Sequence, residues 1–346
     1  MDQALRLDGH HPDFRNYPQD IDLLEVVKSI RRGMPVHQHP INDPELFVIQ
    51  TPKWTCSKYR RKSINVSGKF PLDVIVLIKS CAACFKNRAH ARSTYMQPHL
   101  WGSFRVQFAF VVGLPCLQTM DRLNLEGVDV TIQDRRITDE VRLKRTVTMI
   151  YKESETFEDL LIGSFHDTYY NLTLKRILTF RWAFVFCQGQ APLFLFIDDD
   201  ISIIPENLVK FVRKIPHREK LFFNGGCFGS NPVVPRPDGG FNQWAVSEDE
   251  FPWKEYPPYS LGAGNLVGAE MVVDAAIAMA FTRFLRMDDV FTGIVWKKLN
   301  YPTLGIPGFR LQISSAREMS DTIITFTDLA DKYMDWKSGK IGSTKK

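Results

Sequence analysis

The sequence has no run near the roughly eighteen consecutive apolar residues that a membrane-spanning helix needs. Its first twenty residues, MDQALRLDGHHPDFRNYPQD, contain neither a basic nor an apolar leader segment. On this reading either the chain is soluble or its anchor lies upstream of the sequence. There is no internal repeat and no low-complexity tract. Cysteine is sparse: six residues at irregular spacing, of which only Cys81-Ala-Ala-Cys84 has metal or redox spacing. A zinc site would need two further ligands nearby, and none is offered, so structural thiols or a disulfide are expected there. The two signs of charge nearly balance, with 44 basic and 39 acidic residues. A net charge of +5 is too small to argue for nucleic acid, though it is compatible with an anionic ligand. The basic runs KYRRK (58–62) and the C-terminal STKK read as solvated faces.

A hydrophobic content of 44% over 346 residues supports a large core. Residues 1–55 are rich in His, Pro and Asp without a clear period and read as a stem-like or poorly ordered lead-in. Residues 56–330 read as the main globular domain, and 331–346 as a polar basic tail. From Pro71 the pattern alternates. PLDVIVLIK (71–79) reads as a strand, NRAHARSTYM (87–96) as a helix and FRVQFAFVVG (104–113) as a strand. ITDEVRLKRTVTMIYKESE (137–155) reads as a helix, DLLI (159–162) as a strand and the segment from Leu174 as an amphipathic helix. Such alternation predicts an α/β fold: a Rossmann-like, mostly parallel central sheet with helices on both faces. Ligands bind beyond the carboxyl ends of strands in sheets of this kind.

The strand in APLFLFIDDDISIIPENLVKF (191–211) ends at such a point with three consecutive carboxylates. If the backbone stays extended there, Asp198 and Asp200 point one way and Asp199 the other. Two hard oxygen donors on one side suit Mg²⁺ or Mn²⁺ shared with phosphate oxygens, a metal–diphosphate clamp. A solvated turn before the Pro205 helix is the simpler alternative. A third is the phosphatase pattern of two aspartates two residues apart, which wants Thr or Val where this chain has Ser202.

A second acidic pair, Asp288-Asp289, opens the helix expected to run to about Leu299, and one of the two is expected to cap it. A carboxylate in that place could also take a proton from an attacking hydroxyl. Between the clusters, YPPYSLGAGNLVG (256–268) reads either as a loop close to a sugar or as a turn packing its own tyrosines. Asn65-Val-Ser67 and Asn171-Leu-Thr173 are possible N-glycosylation sequons.

Taken in order, ESETFEDLLIGSFHDTYYNLTLK (153–175), Trp182, Cys187, FIDDDISI, YPPYSLGAG and MDDVFTG resemble the β-1,3-galactosyltransferase and β-1,3-N-acetylglucosaminyltransferase family. The resemblance runs from about Cys56 to Gly308. It implies a GT-A-like fold and an inverting enzyme that moves galactose, GlcNAc or GalNAc from a UDP-sugar to the 3-hydroxyl of a glycan acceptor on lipid or protein. It further implies Mn²⁺ (or Mg²⁺) and a place in the Golgi as a type II membrane protein, so the chain reads as a truncated or secreted form.

Carried over by residue, the resemblance implies Asp289 as the general base and Asp200 with Asp198 on the metal. Arg88, Arg92, Asp167, Lys175, Asp198 and Asp199 would bind the donor, and Trp244, Tyr256, Tyr259, Gly262 and Gly264 would form the acceptor or sugar loop. Departures from the family's pattern fall at Asn87 for Arg, Ala91 for Ile, Tyr95 for Trp and Asp288 for Glu, and at Ser164, where Asp is common. Cysteines frequent in the family at two further places are here Ser260 and Val295, an absence of both halves of what would be one bridge. The alternative readings are a sugar-binding or chaperone-like homologue without turnover, and the metal-dependent phosphatase.

Overall fold

The computed structural model describes residues 17–56, 70–118, 122–125, 127–131, 137–228, 233–237, 243–313 and 316–337. Asn65 and the KYRRK run lie outside the described residues. The strands are β1 (Val48–Gln50), β2 (Val74–Lys79), β3 (Val106–Leu114), β4 (Arg122–Leu125), β5 (Val128–Thr131) and β6 (Leu160–His166). They continue with β7 (Leu193–Asp198), β8 (Ile201–Ile203), β9 (Asn224–Phe228), β10 (Ser260–Gly268), β11 (Leu304–Gly305) and β12 (Ile324–Phe326). The helices are α1 (Leu23–Arg31), α2 (Phe85–Ser93), α3 (Glu140–Phe157), α4 (Leu172–Phe186) and α5 (Pro205–Lys214). After them come α6 (His217–Lys220), α7 (Ala269–Ala278), α8 (Asp288–Lys298), α9 (Ala316–Asp321) and α10 (Thr327–Lys337).

Eight strands make one sheet in the order β1-β6-β3-β2-β7-β10-β9-β11. Its centre, β6-β3-β2-β7, is parallel, whereas β10 runs antiparallel to both β7 and β9. The fold is the expected mixed α/β arrangement with a large, mostly parallel sheet. The apolar run of β2 is buried on both faces because its side chains alternate between two cores. Ile75 and Leu77 join Ala109, Val111, Phe194 and Phe196 under α4, α7 and α8. Val74, Val76 and Ile78 join Phe110, Leu160, Leu195 and Ile197 on the other side, with Ile150 of α3 and Leu208 of α5. Helices therefore cover both faces, and only the strand ends are left for a ligand.

Two elements differ from the sequence reading. Residues 17–55 do not form a loose lead-in. Asp22 caps α1 by accepting from the Glu25 N–H, Leu23, Val26 and Val27 bury into the core, and Arg31 pairs with Glu270 and Asp274 of α7. Farther on, β1 adds to the sheet edge antiparallel to β6. The pattern was masked because the apolar stripe of α1 is one narrow face and β1 has only three residues. The second difference is the glycine-rich stretch 256–268, whose latter part is strand β10 rather than loop. Backbone pairing with two neighbours holds Ser260–Gly268 extended despite its three internal and terminal glycines.

Cys56 and Cys187 form a disulfide across 131 residues, tying the segment after β1 to the C-terminal cap of α4. Replacing both with serine is expected to lower unfolding free energy by about 2–5 kcal/mol, read from the urea midpoint of the purified chain. Cys81 and Cys84 form a second disulfide, as the spacing suggested. Among the described residues no helix is long and apolar enough to cross a membrane.

Candidate active site

The parallel register sets Lys79 of β2 directly beside Asp198 of β7, both at carboxyl ends of their strands. Lys79 is the one charged side chain after an apolar run, and its ammonium pairs with Asp198 at 3.0 Å and with Asp288 at 2.9 Å. Arg176 of α4 meets Asp288 from the other side at 2.9 Å. Burial alone would lower the Lys79 pKa, but the charges of Asp198 and then Asp288 raise it, so the ammonium stays ionised. Burial likewise opposes the ionised Asp288, yet Lys79 and Arg176 hold its pKa below the ordinary aspartate range.

The triplet does not continue as an extended strand. Asp198 closes β7, and Asp199 and Asp200 form the turn into β8. β8 in turn pairs antiparallel with β12, and the Thr327 N–H donates to the Asp200 carbonyl at 2.9 Å. The three acids thus point to different surroundings. Asp199 accepts from the Ser80 hydroxyl at 2.6 Å and from the Asn87 amide at 2.9 Å. Asp200 is exposed. Asp198 is half-buried, and burial pushes its pKa up to about 6 against the pull of Lys79, with Asp288 and Asp200 adding to the rise.

Asp289 lies on the first turn of α8. Neither acid caps that helix as expected: Met287 is the N-cap and no side chain closes it. Asp288 is engaged by the two cations, and Asp289 Oδ1 accepts from the Val290 N–H at 2.8 Å. Its Oδ2 accepts from the Gly262 N–H of β10 at 3.3 Å. Burial, then the adjacent Asp288 charge, raises the Asp289 pKa. Gly262 marks the centre of the arrangement. A Cβ there would lie 3.4 Å from Asp198 Oδ2, 3.4 Å from Lys79 Nζ and 4.0 Å from Asp289 Oδ2. The absence of a side chain leaves the space between the two acidic clusters clear.

Aromatic side chains border the same space. The charge of Asp289 contributes, after burial, to the raised pKa of Tyr259, at about 12, and of Tyr169. The Trp244 indole donates a hydrogen bond to Tyr169, and Trp244 is itself exposed. Tyr256 is a packing residue, buried edge-on against Tyr259 and beside Phe251. Gly264 also serves packing, since a Cβ there would sit 2.1 Å from Ile324 Cδ1.

The expected donor residues divide. Arg88 is fully buried, so it does not line a pocket. Its guanidinium grips Glu153 at 2.6 Å, the Ser80 hydroxyl at 2.9 Å and the Cys81 carbonyl at 2.6 Å. Arg92 binds Asp159 through two 2.8 Å hydrogen bonds and Glu153 at 2.6 Å, and its cation lies over Phe157. Both arginines act behind the site because α3 supplies a carboxylate that takes up their charge. Lys175 and Asp167 are a buried pair at 2.7 Å, and Lys175 also donates to the Ser80 carbonyl. Their contribution is to hold Ser80 in place. Asn171 heads α4, its amide donating to the His166 carbonyl at 2.9 Å.

Two departures that bore on the donor also resolve locally. Asn87 donates to Asp199. Ser164 does not face the strand ends: its hydroxyl accepts from the Phe47 N–H at 2.9 Å beside the sheet edge. Sequence reasoning missed Lys79, Ser80 and Arg176. The signal for Lys79 was present, as a lone cation ending a strand that was otherwise fully apolar.

Residues 138–304 match the sequence profile of the galactosyltransferase family. The UDP-GalNAc:beta-1,3-N-acetylgalactosaminyltransferase 1 of Mus spicilegus is 28% identical over 236 residues, covering 68% of this chain and 62% of its own length. Lactosylceramide 1,3-N-acetyl-beta-D-glucosaminyltransferase A of Xenopus laevis is 31% identical over 162 residues, 46% of this chain and 42% of that one. A glycosyltransferase involved in glycosylation of the major capsid of PBCV-1 superposes over 77% of this chain and 99% of its own, at 11% identity and a TM-score of 0.36. The chain thus spans less than two thirds of the length of these sequence relatives. The chain is thus similar, over residues 138–304, to the galactosyltransferase family and, in sequence, to β-1,3-N-acetylhexosaminyl transferases.

Proposed function

We propose that the chain is an inverting glycosyltransferase that moves a hexose or N-acetylhexosamine from a UDP-sugar to the 3-hydroxyl of a glycan acceptor, on lipid or protein, forming a β-1,3 linkage. The observation that carries this reading is the open space at Gly262, which the acidic strand end and Asp289 face together. The names of the relatives supply the donor class and the linkage.

The carboxylates fit a divalent ion. Burial, then the charges of Asp288 and Asp200, raise the Asp198 pKa against the pull of Lys79, so a further cation would be favoured beside it, and Asp200 is exposed next to it. Among the described residues no group of three or more His, Cys, Asp or Glu is placed to hold an ion alone. One or two carboxylates completed by diphosphate oxygens and water suit Mn²⁺ or Mg²⁺, and Asp200 with Asp198 would be those ligands. A bound ion would supply positive charge to the departing diphosphate.

The chain's own residues do the rest. Asp199, fixed by Ser80 and Asn87, presents its carboxylate edge toward the nucleotide sugar. The acceptor hydroxyl oxygen attacks the anomeric carbon from the face opposite UDP, and the bond to the diphosphate oxygen breaks with its electron pair. Asp289 takes the hydroxyl proton on its carboxylate. A single displacement turns an α-linked donor sugar into a β-linked product. Tyr259, Tyr169 and Trp244 provide ring faces on which an acceptor sugar stacks. Two disulfides suit an oxidising compartment, and the Golgi lumen is the proposed setting.

The test is acceptor-dependent UDP release with Mn²⁺, each of UDP-Gal, UDP-GlcNAc and UDP-GalNAc, and a panel of β-linked acceptors. Release with one donor is the expected result. UDP binding without release for every pair would instead favour a sugar-binding protein. The pH profile gives an independent check. Asp289 must be ionised to accept a proton and its pKa is raised, so kcat is expected to fall as pH drops through a value above the ordinary 3.8. An acid limb at or below 3.8 would contradict the assignment.

A further inference from the structure

The disulfide Cys81–Cys84 lies within the six residues that separate Ser80 and Asn87, the two side chains holding Asp199. Ser80, just before the bridge, donates to one Asp199 oxygen, and Asn87, in the first turn of α2 just after it, donates to the other. The loop between them is bonded from within. The Cys84 N–H donates to the Cys81 carbonyl at 3.0 Å, and the Asn87 N–H to the Cys84 carbonyl at 3.1 Å. Arg88 joins the whole set, reaching the Ser80 hydroxyl, the Cys81 carbonyl and the Ala82 carbonyl from one guanidinium. Any movement of the bridge is thereby passed to both donors of Asp199.

We propose that Cys81–Cys84 is a thiol-exchange site whose redox state sets the position of Asp199 and so the affinity for the nucleotide-sugar donor. This rests on the donor-binding reading given above. The two sulfurs are unequal: Cys81 is half-buried, Cys84 is 6% exposed. A dithiol reductant would therefore attack Cys81 Sγ. The S–S bond breaks, its electron pair leaves on Cys84 Sγ, and that thiolate takes a proton. The second thiol of the reagent then attacks the mixed disulfide and releases Cys81, so two electrons and two protons pass to the protein and the reagent becomes a disulfide. The other bridge is shielded, with Cys56 and Cys187 at 4% and 1% exposure. Once the loop is open, Ser80 remains anchored through Lys175 on its carbonyl, but Asn87 and the start of α2 lose their covalent tie to it.

The experiment uses the purified full chain, oxidised or treated with graded dithiothreitol, with each cysteine's state read by alkylation and mass spectrometry. UDP binding in Mn²⁺ is measured by titration calorimetry, and backbone hydrogen exchange is followed over residues 85–93 and 199–203. Selective reduction of Cys81 and Cys84 is expected to weaken UDP binding by about fivefold or more, reversibly on reoxidation. It should also speed exchange in both segments. The double variant C81S/C84S is expected to show the weaker affinity with no response to dithiothreitol, which separates this bridge from Cys56–Cys187. Unchanged affinity and unchanged exchange at 199–203 with both thiols alkylated would overturn the proposal, as would reduction of Cys56–Cys187 before Cys81–Cys84. If the oxidised chain binds no UDP, the donor reading fails, and exchange at 199–203 alone then decides the latch: faster on reduction supports it, unchanged removes it.

Discussion

Asp289→Asn is expected to reduce acceptor-dependent UDP release by about 10²–10⁴-fold, the usual worth of a general base, while Mn²⁺-dependent UDP binding stays near wild type. The substitution keeps an amide oxygen where Oδ1 accepts from the Val290 N–H, so the side chain's position is preserved. Stability should move the other way. The folded pKa of Asp289 is raised by burial and by Asp288, so its ionised form is disfavoured in the fold. Its stabilising contribution is therefore present below the unfolded value and lost as pH rises through the folded pKa, and a neutral Asn should raise Tm at pH 7. A variant both less active and more thermally stable is the signature of a site residue held under electrostatic strain. Retained turnover would remove Asp289 as the base. Asp288→Asn provides the comparison: with the neighbouring charge gone, the acid limb of kcat should move to lower pH.

Glu153→Ala should be strongly damaging although it lies outside the two aspartate clusters. Glu153 is 8% exposed and receives both Arg88 and Arg92 at 2.6 Å. Burial would raise its pKa, but the hydrogen bonds and charges of Arg88 and then Arg92 bring it below the ordinary 4.5. Removing it leaves the fully buried Arg88 guanidinium without its carboxylate, a loss of about 3–5 kcal/mol at neutral pH. The sign with pH follows from the depressed pKa. The stabilisation is present above the unfolded value and is lost as pH falls through the folded one, so urea midpoints of variant and wild type should converge on acidification. A difference under about 1 kcal/mol at pH 7 would show that Arg88 finds other partners adequate. Because Arg88 also donates to Ser80, the variant should bind UDP more weakly even where it remains folded.

The two expectations differ in how much of each the sequence announced. The place of Asp289 was legible because an acidic pair before an apolar helix is a local pattern, and family resemblance implied the role proposed for it. Glu153 was not singled out by role, since a glutamate on a polar helix looks like any other solvated acid. The sheet centre was legible for the same local reason: β2, β3, β6 and β7 are apolar on both faces, which requires cover on both sides. α1 and β10 were not. α1 has a narrow apolar face within a polar stretch, and β10 is rich in glycine, so in both cases partners distant in the chain decided the conformation.

By itself the sequence determined the order of β2, β3, β6 and β7 with the helices between them, the strand ending in Asp198 and the acids that open α8. Short-range periodicity and residue chemistry are sufficient for those. Only the tertiary structure decided what each charge does. The parallel register of β2 and β7 set Lys79 against Asp198, and β10 brought Gly262 between them and Asp289. α3 carried Glu153 to Arg88 and Arg92, where its carboxylate pairs with both. The reason is physical: a charge acts through its nearest neighbours in space and its exposure to water, and for these residues the neighbours lie 27 to 209 positions away along the chain.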